Sequence, residues 1–208
     1  MKQVRILGEM RTGTNYMSIL LKRHYNVSVY LSSKHSEFDG NLMDTIITLK
    51  NPYSWMWSML NCELVTRNTL FYGRKTSNHK EDWGLQKELV LRYNRVCNSY
   101  LQIPEDRKVV IHFIELMRHP ERIVNIIKDK FNLDPITSQF IDEQNEIRSE
   151  ERIMSNKFNR KEFYEQARYL EQLSKTTKKI IEENVDGPLL SIYGYDRWAS
   201  KGEKNGIN

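Results

Sequence analysis

Two short stretches of this chain bring together residue types that handle anions and protons. The first is Gly8-Glu9-Met10-Arg11-Thr12-Gly13-Thr14-Asn15. Its glycines have the frame of a phosphate-binding turn, G-x-x-x-x-G-K-S/T, with the last two positions changed. Successive backbone N–H groups in such a turn, with the positive end of the following helix, make a nest for an anion. Thr14 replaces the lysine that reaches the outer phosphates, and Asn15 replaces the hydroxyl that holds magnesium. A cation, Arg11, lies inside the turn instead. The combination keeps the anion cradle and drops the metal grip, which suits an anionic nucleotide handled without obligatory magnesium. The second stretch is Ser33-Lys34-His35-Ser36-Glu37-Phe38. His35 is the side chain best placed to take a proton near neutral pH. Lys34 can stabilise charge that develops on a leaving or transferred group, and Glu37 is the other candidate base.

The elements that must position these groups follow from hydrophobic periodicity. Val4, Ile6 and Leu7 form a buried strand that runs into the turn, and Met17, Leu20, Leu21 and His24 recur at helical spacing after it. Val27, Val29 and Leu31 alternate with polar residues as a half-buried strand, so Lys34 and His35 sit in the loop that leaves its end. In α/β sheets ligands are handled at that edge. Residues 44–50 form a third strand. Asn51-Pro52 then starts a helix through Trp55, Ser58, Met59 and Cys62, with Asn as cap and Pro at the first position. Trp55 reads as core, with Tyr53 and Trp57 beside it. Residues 64–83 read as a loop or lid in which Arg67, Arg74, Lys75 and Lys80 alternate with Phe71, Tyr72 and His79 around Gly73. An amphipathic helix follows from Trp83 to Leu101, then a strand at Val109–Phe113, then a helix with Ile123, Ile126, Ile127 and Phe131 on its face. Residues 143–160 are charged and read as a connecting segment carrying Arg148, Arg152, Lys157 and Arg160. A last long helix carries Phe163, Ala167, Leu170, Ser174, Thr177 and Ile181 on one stripe and ends at Gly187-Pro188.

The 208 residues suffice for one domain with a sizeable core, 39% hydrophobic and 28% charged. No apolar run is long enough to span a membrane and no signal peptide precedes the first strand. Cys62 and Cys97 form no C-x-x-C pair and read as reduced core thiols. The net charge of +5 accommodates an anionic ligand without any recognised nucleic-acid motif.

Residues 8–15 resemble the 5′-phosphosulfate loop of sulfotransferases that use 3′-phosphoadenylyl sulfate (PAPS), in which a basic residue, Ser/Thr, Gly and Ser/Thr precede Thr, Ser or Asn. Lys50-Asn-Pro-Tyr-Ser-Trp-Met-Trp-Ser58 resembles the same family's 3′-phosphate motif, Arg-Asn/Asp-Pro with a serine eight residues after the arginine. Lys50 stands for that arginine and cannot make its bidentate fork. Phe113-Ile-Glu115-Leu-Met-Arg-His-Pro120 resembles the segment Y-E-D-L-L-x-x-P, with Phe113 in the tyrosine's place. Lys34 and His35 resemble the pair that heparan-type members place after their second strand.

The resemblance implies a three-layer α/β domain with a central parallel sheet and a P-loop-like phosphosulfate-binding loop, residues 1–198 forming one domain and 199–208 a polar tail. It implies a PAPS-dependent sulfotransferase of soluble bacterial or viral type, cytoplasmic, moving a sulfuryl group to a hydroxyl acceptor such as a glycan or small molecule. PAPS is the co-substrate, adenosine 3′,5′-bisphosphate the product, and no metal, nucleic acid or membrane takes part. His35 would be the base and Lys34 and Arg11 its charge-stabilising partners. Arg11, Thr12, Gly13, Thr14 and Asn15 would hold the phosphosulfate, and Lys50 and Ser58 the 3′-phosphate. The late R-K-G-x-x-G loop of cytosolic members is not found; Lys201-Gly202 lies in the tail. Two other readings remain open: a small P-loop kinase, which lacks its loop lysine, its magnesium hydroxyl and an acidic strand end, and a non-catalytic basic module binding nucleic acid or acidic glycan.

Overall fold

The computed structural model describes residues 1–61, 80–142 and 160–195. The expected lid residues Arg67, Phe71, Tyr72, Gly73, Arg74, Lys75 and His79, together with Cys62, Arg148, Arg152, Lys157 and the tail with Lys201-Gly202, lie outside them. The side chain of Arg160 does too.

Four strands pair in parallel in the order β2-β1-β3-β4: β1 Lys2–Leu7, β2 Val27–Tyr30, β3 Thr45–Leu49 and β4 Lys108–His112. The registers set Val4 beside Val29, Ile6 beside Ile46 and Leu49 beside His112. β3, TIITL, is buried at every residue, as a central parallel strand covered on both faces must be. Helix α1, Thr14–His24, links β1 to β2, α2 is Pro52–Leu60 and α3 is Trp83–Ser99. Two short 3₁₀ turns lead into β4, which is followed by α4, Phe113–Arg118, and α5, Pro120–Phe131. The α/β class with a parallel sheet is therefore as the resemblance implied.

The chain divides into two compact units, Met1–Leu49 with Val96–Glu162 and Lys50–Arg95 with Phe163–Asn208. The first holds the sheet. Val4, Ile6, Ile46 and Ile111 form one cluster with Met17, Leu20 and Leu21 of α1 and Ile123, Val124, Ile127 and Phe131 of α5. The helical spacing read from those side chains is the spacing of this contact. His24, on the same face, stacks on Phe140 at 4.8 Å, and its Nε2 lies 3.0 Å from Ile141 O.

The second unit holds α2, whose first turn behaves as its sequence dictates. The Asn51 side chain accepts the Tyr53 N–H at 2.9 Å, and Pro52 occupies the first turn, where a missing N–H costs nothing. Trp55, 1% exposed, packs against Tyr93 with ring centroids 4.8 Å apart.

The expected long C-terminal helix is instead four short ones: α6 Arg160–Glu165, α7 Tyr169–Gln172, α8 Lys175–Asn184 and α9 Gly187–Ile192. Two residues read as stripe members break it. Ala167 turns the chain with φ 52°, and Ser174 leaves the helical region to cap α8, its hydroxyl accepting the Thr177 N–H at 3.0 Å. Gly187-Pro188 opens α9 rather than closing a helix, because Asp186 caps the new turn through the Leu189 N–H. Periodicity registered burial, which Phe163, Thr177 and Ile181 do have, and not continuity.

Candidate functional site

In the first unit, the chain leaves β1 at Leu7, turns, and enters α1 at Thr14. Arg11 and Gly13 take positive φ, 67° and 92°. The turn is braced from within. Thr12, fully buried, donates its hydroxyl to Glu9 O at 2.7 Å and meets Thr48 Oγ1 at 3.0 Å, while its N–H points at Glu9 O at 3.3 Å. Thr12 thus holds the turn to β3. Glu9, 1% exposed, accepts the Met10 N–H at 3.1 Å. Gly8 is required for space: a Cβ there would lie 2.6 Å from both Thr12 Oγ1 and Thr48 O. Gly13 is the α1 N-cap, and a Cβ on it would meet Phe113 Cδ2 at 3.1 Å. The first N–H groups of α1 have no intrahelical acceptor by the geometry of any helix, and they carry the helix's positive end.

The loop after β2 is tied to this turn at several points. The Gly8 N–H donates to Lys34 O at 2.9 Å, and His35 Nδ1 lies 2.7 Å from Gly8 O. A carbonyl only accepts, so Nδ1 carries the hydrogen and the lone pair of the neutral ring is on Nε2. Lys34 Nζ donates to the Asn15 side-chain oxygen. Burial lowers the Lys34 pKa below the usual lysine value. Arg11 is half-buried, Asn15 and Glu37 are exposed, and Thr14 is buried. The loop is held further along its length. Phe38 N–H donates to Ser99 Oγ at 2.9 Å and Tyr100 OH to Ser36 O at 3.3 Å.

Arg5, which periodicity had hidden inside a strand, anchors the same loop. It is 1% exposed and donates to Asp39 Oδ1 at 2.5 Å and Asn41 O at 2.7 Å, with its guanidinium 5.1 Å from the centre of the Phe38 ring. The Asn41 N–H, and then Arg5, hold the Asp39 carboxyl below the usual range. The sequence did carry a signal: a charged residue between Val4 and Ile6 of a buried run needs a partner.

In the second unit, Lys50 Nζ donates to Ser58 Oγ at 2.6 Å and to Tyr164 OH at 2.9 Å, and the two hydroxyls are 2.8 Å apart. Lys50 and Ser58 therefore meet, and Tyr164 of α6 joins them. Nothing in the spacing pointed to Tyr164, 114 residues from Lys50. Tyr93 OH donates to Lys50 O at 2.7 Å. Tyr53 OH donates to Glu182 at 2.8 Å, and burial, then this carboxylate, raise the phenol's pKa. Trp57 packs on Phe163 at 4.4 Å and donates its indole N–H to Gln172 at 2.7 Å. A cleft of about 620 Å³ in this unit is lined by Trp57, Asn61, Lys80, Glu81, Trp83 and Gln172 among others. Glu115, in the first unit, pairs with Arg118 at 3.6 Å.

Among the described residues no group of three or more His, Cys, Asp or Glu could hold a metal, and no helix is long and apolar enough to cross a membrane. A scan of protein-family models finds none that matches this chain, and a search of curated proteins finds no match.

Proposed function

We propose that this chain is a sulfotransferase that moves a sulfuryl group from PAPS to an acceptor hydroxyl, with a carbohydrate or small molecule as acceptor. The observation that carries the reading is the tie between Gly8 and the Lys34–His35 peptide. It fixes a lysine and an oriented histidine against a glycine turn that opens a helix. Arg11, Lys34 and the N–H groups from Thr12 to Asn15 are the candidates for the phosphosulfate, and Lys50 and Ser58, in the second unit, those for the 3′-phosphate. Thr12 braces the turn.

PAPS supplies an activated sulfur and a leaving phosphate. His35 accepts the acceptor's hydroxyl proton at Nε2 as the acceptor oxygen bonds to sulfur and the bond from sulfur to the bridging phosphate oxygen breaks. Its Nδ1–H bond to Gly8 O keeps the ring aimed and favours the imidazolium that forms. Lys34 and Arg11 offset charge on the oxygens that gain it. Adenosine 3′,5′-bisphosphate departs.

The test is calorimetric titration with adenosine 3′,5′-bisphosphate in the absence of magnesium, beside release of that product from PAPS with water as acceptor. His35→Asn keeps an N–H for Gly8 O and removes the base. It should bind the bisphosphate within about threefold of wild type and lose at least ~100-fold in release. No bisphosphate binding by wild type, with ATP–magnesium bound instead, overturns the reading in favour of a kinase. Undiminished release by His35→Asn passes the base's role to Glu37.

A further inference from the structure

We infer that Tyr164 is a ligand of the donor's 3′-phosphate and, with Lys50, replaces the fork that an arginine would provide; this rests on the reading proposed above. The protons in the cluster can be followed. Ser58 Oγ donates to Ser54 O at 3.0 Å, so it accepts from Lys50 and from Tyr164. Tyr164 OH accepts from Lys50 and donates to Ser58. Lys50 Nζ and Tyr164 OH are thus two donors 2.9 Å apart on one side of Ser58. A guanidinium offers phosphate two parallel N–H donors, and an ammonium offers a point charge. A phenol hydroxyl beside the ammonium restores the second prong, and it can turn about its C–O bond from Ser58 to an incoming oxygen.

The arrangement is also guarded. Lys50 and Ser58 are 1% and 5% exposed, Tyr164 is 7% exposed, and the Tyr164 ring lies 4.1 Å from Lys50 Nζ. Buried as it is, the lysine meets a phosphate only when its surroundings shift, and this ring is part of them. Tyr164 therefore covers the ammonium when no anion is present and contributes its hydroxyl when one is. Burial of the cluster also excludes water, which makes each charge-assisted hydrogen bond to the phosphate stronger than it would be at the surface.

The experiment compares adenosine 3′,5′-bisphosphate with adenosine 5′-monophosphate by calorimetry without magnesium, in wild type and Tyr164→Phe. The phenylalanine keeps the ring over Lys50 and removes only the hydroxyl. Wild type should prefer the bisphosphate, and Tyr164→Phe should cut that preference about ten- to a hundredfold, the loss of one hydrogen bond to a charged group. Monophosphate affinity should stay within about twofold and serves as the check that the variant is folded. A second variant, Lys50→Arg with Tyr164→Phe, should recover the preference, because the guanidinium carries both prongs. If Tyr164→Phe leaves the preference unchanged or raises it, Tyr164 is a cover and not a ligand, and the sulfotransferase reading stands. If wild type shows no preference for the bisphosphate, that reading itself falls.

Discussion

Replacing Gly8 by alanine tests the hub of the candidate site. Gly8 needs no unusual dihedral; it needs room. A Cβ would lie 2.6 Å from Thr12 Oγ1 and from Thr48 O, and Thr48 Oγ1 is also closer than 3.0 Å. One of these atoms is backbone of the central strand and cannot turn aside. Overpacking of this kind costs roughly 1–3 kcal/mol. Displacing Gly8 also strains its N–H bond to Lys34 O and the His35 bond to Gly8 O, each worth about 1 kcal/mol. Against this, alanine restricts the unfolded chain and returns about 0.4–1 kcal/mol. The net loss is about 3 kcal/mol. For a chain of 208 residues that lowers Tm by roughly 6–12 °C. Urea denaturation measures the loss directly. Adding Thr48→Ala removes the hydroxyl in the way and leaves the carbonyl, so the double variant should be more stable than the sum of the singles by at least about 0.5 kcal/mol. A Gly8→Ala stability within 0.5 kcal/mol of wild type, or strict additivity with Thr48→Ala, would refute the packing described for this turn.

Lys34 gives a pH prediction. In the proposed reaction its charged form would stabilise the transferred group, and burial lowers its pKa below the usual 10.5. Product release from PAPS should fall on the alkaline side before an ordinary lysine would titrate, and Lys34→Arg should move that limb upward; a limb that stays put assigns it to another group. For folding the sign is the reverse. Between the lowered pKa and 10.5 the unfolded chain binds more protons, so stability rises with pH through that window and is reduced below it. Arg5→Met should cost about 1–2 kcal/mol by leaving Asn41 O without this donor. Hydrogen exchange of amides 36–41 should quicken at least tenfold while the α5 amides stay protected, and unchanged exchange would mean that Ser99 and Tyr100 suffice to hold the loop.

The features legible in the sequence are those in which a residue settles its own surroundings. Asn51-Pro52 caps and opens a helix, and the third strand read at residues 44–50 is there as β3. The face of α3 was legible because Leu85, Leu89, Tyr93 and Val96 are all buried at helical spacing. What stayed hidden depends on partners far along the chain. Tyr164 acquires meaning only beside Lys50, and Thr12 only beside Thr48. Ser174 and Ala167 fitted a helical stripe by position, but one caps and the other turns the chain, and spacing does not distinguish a buried helical residue from a buried break.

The missing loop lysine connects these observations. The phosphate-binding frame places a lysine where this chain has Thr14, and Thr14 is buried. A cation does come near from the neighbouring strand's loop: Lys34 reaches the side chain of Asn15, the residue next to Thr14. Moving the lysine has a chemical consequence. A lysine rooted in the turn follows the outer phosphates of a nucleotide, whose accumulated charge also calls for magnesium. Under the proposed reaction, a lysine on a separate loop, in sequence beside a histidine whose Nδ1 is committed to Gly8 O, would stand with the base and so with the group being transferred. A phosphosulfate carries less charge than a triphosphate, so one lysine and Arg11 go further toward balancing it. The distinction is measurable with Lys34→Ala. If Lys34 serves transfer, this variant should lose product release far more than bisphosphate affinity. If it serves as a relocated phosphate lysine, affinity should fall as steeply as release, and the argument for sulfuryl transfer from this loop would lose its footing.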